Sequence, residues 1–335
     1  MTLISRARSF SRILLLHVGR VSEAIFALPA CAALRERFPE ARITALATPW
    51  AGEAFAMSGA VSDIWPIAGA QPADWLLPWN VWETFHAVRE FRRRHYELAI
   101  DFRPSRETIL LALAARIPAR LAALSPRGIV GLFYNVWRVP DDPRRHRVDR
   151  YLDALRGLDV SPTTREPALR TDPEADERFE RWLRARGVEA GELLVGLSPE
   201  ADPGAAVWPL ERFLDLGHRL VHHFRVRLID VSRRGWGRAR VPKGMLSVRA
   251  RSLRELASAL ARCALVIAGD AGPGHVAAAL GVPTLMLGCA RTRRPLGAEH
   301  RVVERDALAG CSVERAFEIA SEMLGRSRTM ALFRS

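Results

Sequence analysis

The sequence predicts an α/β fold of two Rossmann-like domains facing each other. Three observations carry that expectation. Short, wholly apolar runs recur along the chain, each followed by a loop and then a helical period. The rhythm occurs in both halves, on either side of a stretch at 161–173 dense in Pro, Thr and charge. The length, 335 residues, exceeds what one compact core usually holds and suits two.

The first strand is expected at 12–17, an apolar run of the kind that is buried on both faces of a parallel sheet. Residues 23–38 follow with a helical period in Ala24, Phe26, Ala27, Ala30, Cys31 and Leu34. Pro29 within that segment should kink the helix or mark where its regular part begins. A strand at 41–47 completes a βαβ unit, which implies a doubly wound sheet with its loops gathered at the C-terminal edge. The rhythm continues through 61–66, a helix near 79–94, a strand at 97–101 and helices at 106–115 and 146–157, with an irregular aromatic stretch at 128–139.

The second series opens with a strand at 193–198, a long loop at 199–209 and a helix at 210–224. Strands at 226–231, 264–268 and 283–287 alternate with helices at 252–263 and 275–280, and a last helix is expected at 312–325. The expected divisions are 1–165, 174–311 and a C-terminal helix and tail at 312–335.

The formal charge is +13, and of the 50 basic residues only Lys243 is a lysine. Such a surplus favours polyanions: nucleic acid, anionic head groups or phosphorylated substrates. Nucleic acid is set aside because no zinc-ligand spacing, heptad-linked basic region or aromatic RNA-binding signature accompanies the charge. Cys31, Cys263, Cys289 and Cys311 form no CxxC pair, which reads as buried thiols in a reducing compartment. No run of 18 apolar residues occurs, so a soluble, cytoplasmic chain is expected. Neither His95, His222, His223 nor His300 has metal-ligand spacing, and no metal is expected. Residues 89–95 read as a solvated helix face, the alternative being contact with acceptor phosphates or anionic lipid. Trp75, Trp79 and Trp82 read as ordinary packing, the alternative being a membrane-touching edge.

Two segments stand out. Within 269–283, Gly272 and Gly274 lie between a strand and a helix start, where backbone can approach a ligand and first-turn amides can face phosphate oxygens. A tight turn with a structural histidine would read the same way. Glu23 lies just beyond the first strand, where a carboxylate can serve as general base to a sugar hydroxyl. It would also suit the positive end of the following helix, or a pair with Arg20.

Several patterns in order resemble glycosyltransferase family 9, the heptosyltransferase family of lipopolysaccharide core assembly. They are the opening strand with Ala27-Leu28-Pro29, then Tyr96 through Arg103, then His146 through Tyr151. Ser198-Pro199 with Trp208 through Phe213, and Asp270 through His275 with Ala277 through Pro283, complete the set. The resemblance implies a GT-B fold and inverting transfer from an ADP-heptose donor, with no metal or other cofactor. It implies an anionic glycolipid or glycan acceptor, a cytoplasmic enzyme, and peripheral contact with the inner face of the inner membrane.

It carries Glu23 over as the base, with Ser22-Glu23 standing where the family has Gly-Asp. It carries Ser22, Ser198 and the run Asp270, Ala271, Gly272, Pro273, Gly274 and His275 over as substrate contacts. Where the family has a phosphate-neutralising lysine the chain has Ala206, and Arg233 or Arg234 could supply that charge. The same departures frame the alternative, a weakened member that binds nucleotide or glycan as an assembly or regulatory protein.

Overall fold

The computed structural model describes residues 9–67, 81–126, 128–233, 235–236 and 241–332. Trp75, Trp79 and Arg234 lie outside them. The chain divides into two compact units, Met1–Pro167 and Ala168–Ser335.

Unit 1 runs β1 (Arg12–His17), α1 (Val21–Arg37), β2 (Arg42–Ala47), α2 (Pro49–Ser58), β3 (Asp63–Pro66) and α3 (Val81–Arg94), then β4 (Leu98–Asp101), α4 (Arg106–Ala114), β5 (Ala119–Ala122) and α5 (Arg147–Leu155). Its sheet has the order β3-β2-β1-β4-β5, every pair parallel. Central β1 sets the core because Ile13, Leu14, Leu15 and Leu16 are all buried, as a strand covered on both faces requires. Leu14 and Leu16 share one cluster with Phe91 of α3 and Leu111 of α4, while α1 packs against α2 and α5.

Unit 2 runs α6 (Pro173–Arg184), β6 (Leu194–Ser198), α7 (Leu210–Phe224), β7 (Arg227–Asp230), β8 (Leu246–Ser247) and α8 (Leu253–Ala261), then β9 (Cys263–Gly269), α9 (Gly272–Ala279), β10 (Thr284–Cys289), β11 (Arg301–Glu304) and α10 (Val313–Leu332). Its sheet, also wholly parallel, has the order β11-β10-β9-β6-β7-β8. Trp208 is buried against Phe213, and its indole N–H donates to the Cys311 carbonyl at 3.0 Å, which anchors the end of the 199–209 loop.

In each unit the chain builds outward on one side of its first strand and then returns to the other side. The order therefore reverses between β1 and β4 and between β6 and β9. Loops leaving the C-terminal ends of such a strand pair diverge to opposite faces and leave a crevice for ligands.

The expected helix at 23–38 starts earlier, at Val21, so Pro29 lies inside a continuous helix and does not mark its start. The helix expected at 275–280 begins earlier, at Gly272, with Pro273 in its first turn, where a missing N–H costs no helical bond. Helices α2 and α6 and strands β5, β8 and β11 add to the predicted elements. Among the described residues no helix is long and apolar enough to cross a membrane.

Candidate functional site

At the reversal point of unit 1, β1 ends at His17 and the chain turns through Gly19 into α1, whose first turn carries Ser22 and Glu23. Strand β4 ends beside it at Asp101, followed by Arg103. Arg103 Nη1 donates to Glu23 Oε2 at 3.0 Å, and the Arg20 backbone N–H donates to the same oxygen at 3.3 Å. Oε1 accepts no hydrogen bond from any described residue, and the Glu23 side chain keeps 23% exposure. Burial alone would raise the Glu23 pKa, but the Arg103 charge and the Arg20 amide outweigh it and hold the carboxyl below its ordinary value.

Gly19 makes this arrangement possible. A Cβ there would stand 2.6 Å from Glu23 Oε2 and 3.2 Å from both Arg103 Nη1 and His17 Cε1. Beneath the pair, His17 is fully buried edge-on to Phe55, and burial lowers its pKa to about 4, so the ring is neutral. Asp101 is also buried and is pushed up to about 6; it accepts from the Tyr134 hydroxyl at 2.7 Å and from the Arg103 backbone N–H at 3.0 Å. These bonds fix the turn that aims Arg103 at Glu23. Replacing Arg103 with Leu is expected to raise the Glu23 pKa, since the largest opposing influence on its buried carboxyl is then gone; a carboxylate NMR titration of the two proteins reads the shift directly.

At the reversal point of unit 2, Ser198 ends β6 and the turn Asp270-Ala271 links β9 to α9. His275 Nε2 donates to Asp270 Oδ1 at 2.9 Å. Arg293, from the segment after β10, donates to Asp202 Oδ2 at 3.0 Å and lies 3.4 Å from Asp270 Oδ1. The Asp202 N–H donates to the Asp270 carbonyl at 2.8 Å, which fastens the 199–209 loop onto the turn. Burial would raise the Asp270 pKa, but the His275 hydrogen bond and the Arg293 charge hold it below the ordinary range.

The Cys289 thiol belongs to the same corner; one ligand-type atom each from Asp270, His275 and Cys289 lie within 4.8 Å of one another. Burial pushes that thiol's pKa up, so it stays protonated, and Asp270 is already shared between an imidazole and a guanidinium.

The structure brings Asp270, Ala271, Gly272, Pro273, Gly274 and His275 together with Ser198, and sets Ser22 beside Glu23. Ser22 and Ser198 are both fully buried. Gly274 also serves packing: a Cβ there would stand 2.3 Å from Met286 Sδ and 3.0 Å from the Ala268 Cβ, so glycine lets α9 lie tight on the sheet. Arg233 is exposed beyond β7. Sequence reasoning missed the roles of Arg103, Asp202 and Arg293. Arg103 stood within a quoted pattern, but nothing local marked Arg293.

Two doubly wound parallel sheets, each with a charged cluster at its reversal point, define the class of fold: the chain has the GT-B fold. It belongs to glycosyltransferase family 9 (heptosyltransferase), whose family model matches residues 84–293. The glycosyltransferase family 9 structure from Veillonella parvula is similar at 18% identity and TM-score 0.82, covering 96% of this chain and 100% of that one. ADP-heptose lipopolysaccharide heptosyltransferase II of E. coli is similar at 19% identity and TM-score 0.77, covering 95% and 99%. The E. coli heptosyltransferase WaaC with ADP-2-deoxy-2-fluoro heptose is similar at 18% identity and TM-score 0.70, covering 93% and 99%. At these identities the likeness is one of fold. A search of curated proteins finds no match.

Proposed function

We propose that the chain transfers a heptose-like sugar, with inversion, from an ADP-sugar to a lipopolysaccharide-core or related glycan acceptor. The observation that carries this reading is the state of Glu23: an ionised carboxylate with Oε2 tied to Arg103 and Arg20 and Oε1 accepting no hydrogen bond from the described residues. A general base needs that combination of fixed orientation, charge and one unoccupied oxygen. Glu23 takes the acceptor hydroxyl proton as the oxygen attacks the anomeric carbon. The bond from that carbon to the diphosphate breaks, and its electron pair leaves with ADP.

The diphosphate is assigned to the start of α9, where first-turn amides and the positive end of the helix dipole favour phosphate oxygens. With Ala206 in the lysine position, the cationic partner is assigned to arginine; Arg293, held at the turn by Asp202 and Asp270, joins Arg233 and Arg234 as candidates. The solved E. coli relatives named for ADP and ADP-2-deoxy-2-fluoro heptose support a nucleotide-sugar donor. Donor and acceptor are substrates here, and no metal or other cofactor enters the proposed chemistry.

Calorimetry with ADP and ADP-heptose, paired with a product assay on a lipopolysaccharide-core acceptor, tests the reading. Binding with turnover is expected. Binding without product across core acceptors would leave the binding-protein alternative in its place.

A further inference from the structure

Helix α5 starts beside the turn that carries Glu23. Its cap, His146, stands edge-on to Phe26, one turn along α1 from Glu23, with ring centroids 6.1 Å apart. Its buried Tyr151 stands edge-on to Phe102, the neighbour of Arg103, at 5.1 Å. Edge-to-face pairs at these separations fix where the helix lies. The His146 ring also accepts from the Val148 N–H through Nδ1 at 3.2 Å, which holds the first turn. Arg147, the first residue of α5, comes between these anchors.

The acids around Arg147 are allotted to other arginines. Asp149 accepts from two Arg165 nitrogens at 2.7 and 2.8 Å, and Asp141 from two Arg150 nitrogens at 2.6 and 2.8 Å. Asp153, the remaining acid of α5, pairs with both Arg145 and Arg156. Arg147 itself is partly buried and makes no hydrogen bond or ion pair with any described residue. A cation is disfavoured at this position on two counts, the positive end of the helix dipole and the partial loss of water.

Its charge nevertheless reaches the site. Burial raises the Glu23 carboxyl, and among the influences that hold it down, led by Arg103, is the Arg147 guanidinium. Glu23 forms its ion pair with Arg103 and not with Arg147, so the second guanidinium stands near the carboxylate with its donors uncommitted.

We infer that Arg147 receives an anionic oxygen group of the acceptor, a phosphate or a carboxylate, while Glu23 faces the hydroxyl that is to react. A guanidinium suits either group, because its fork donates two parallel N–H bonds to paired oxygens. Arg147 is then a specificity-determining residue, selecting acceptors whose charged group lies close to the reacting hydroxyl. The inference rests on the proposed transfer to a glycan and adds the feature by which that glycan is chosen.

Calorimetry of the full chain, with ADP present and no sugar donor, measures acceptor binding apart from turnover. The probes are a phosphorylated lipopolysaccharide-core oligosaccharide, the same oligosaccharide after phosphatase treatment, and the same after reduction of its carboxyl groups to alcohols. Arg147→Gln should weaken binding of the untreated oligosaccharide by about 10- to 100-fold, the range for a lost hydrogen bond to a charged group. The loss should be larger at low salt than at high salt. Arg147→Lys, which keeps the charge without the fork, should recover part of it. At least one treatment should erase most of the difference between Arg147→Gln and the unmodified chain, and which one does so identifies the group as phosphate or carboxylate. In kinetics with ADP-heptose, the loss should fall on the acceptor KM more than on kcat.

The inference is overturned if the unmodified chain binds none of the three oligosaccharides, if Arg147→Gln binds them all equally well as the unmodified chain, or if the difference survives both treatments. A fall in ADP affinity instead would also overturn it, by assigning the guanidinium to the donor. So would a uniform fall in kcat with a displaced pH profile, by making Arg147 an electrostatic partner of Glu23 alone. Arg147-dependent affinity without sugar transfer would strike the transfer reading and keep this inference; transfer with Arg147-independent affinity would do the reverse.

Discussion

Glu23→Gln is expected to lower kcat by about 10²- to 10⁴-fold while ADP binding, measured by calorimetry, stays close to that of the unmodified chain. The amide is nearly isosteric and can still accept from Arg103 and the Arg20 N–H through its carbonyl, so the turn should keep its shape. What is lost is the basicity of the open oxygen. Since the carboxyl sits below its ordinary pKa, it is a modest base, and its contribution depends on being ionised, correctly aimed and close to the hydroxyl at the moment of attack. Turnover at the unmodified rate would remove Glu23 from the reaction.

Gly269→Ala is the second large effect. The new methyl would stand 2.3 Å from the Glu200 carbonyl oxygen and 3.6 Å from that of Pro199, and backbone atoms cannot swing aside as a side-chain end can. The 199–209 loop must lift from the end of β9, loosening the Asp202 N–H bond to the Asp270 carbonyl and the Arg293 contact to Asp202. A loss of about 1–3 kcal/mol in urea unfolding is expected from the overpacking. ADP affinity should fall as well, because the loop and the α9 turn no longer hold one geometry. Gly310→Ala, whose methyl would meet nothing within 4 Å, serves as the control. Unchanged ADP affinity in Gly269→Ala would detach the loop from the donor site.

The elements that could be read from sequence were those whose local and long-range signals agree. β1 and α7 run over the expected residues because an unbroken apolar run and a clean amphipathic period allow no other reading. Helix α6 shows the opposite case. Asp172 caps it by accepting from the Glu174 and Ala175 amides, and Pro173 fills its first position, yet the charge density of Pro173–Arg184 hides its buried stripe of Ala175, Phe179 and Leu183. Pro29 misled for a different reason. Nearly all of α1 around it is buried, and that packing carries the helix through a missing backbone bond.

At the candidate site, the sequence exposed what is contiguous and concealed what is assembled. Glu23 and the turn before α9 stand next to strand ends in the chain and were legible. Arg103 reaches Glu23 from 80 residues away and Arg293 reaches Asp202 from 91, through parallel pairings that no local pattern announces.

The strand order also shapes how the polypeptide can form. β1 pairs with β4, Ile13 opposite Leu98, so the centre of the first sheet stays open on one side until most of that unit has left the ribosome. Until then Ile13 through Leu16, the most apolar edge in the unit, is available to wrong neighbours. A chain whose two sheets are each completed through one such distant parallel pair should mature slowly, lean on chaperones at high concentration, and tolerate truncation poorly anywhere short of a finished half.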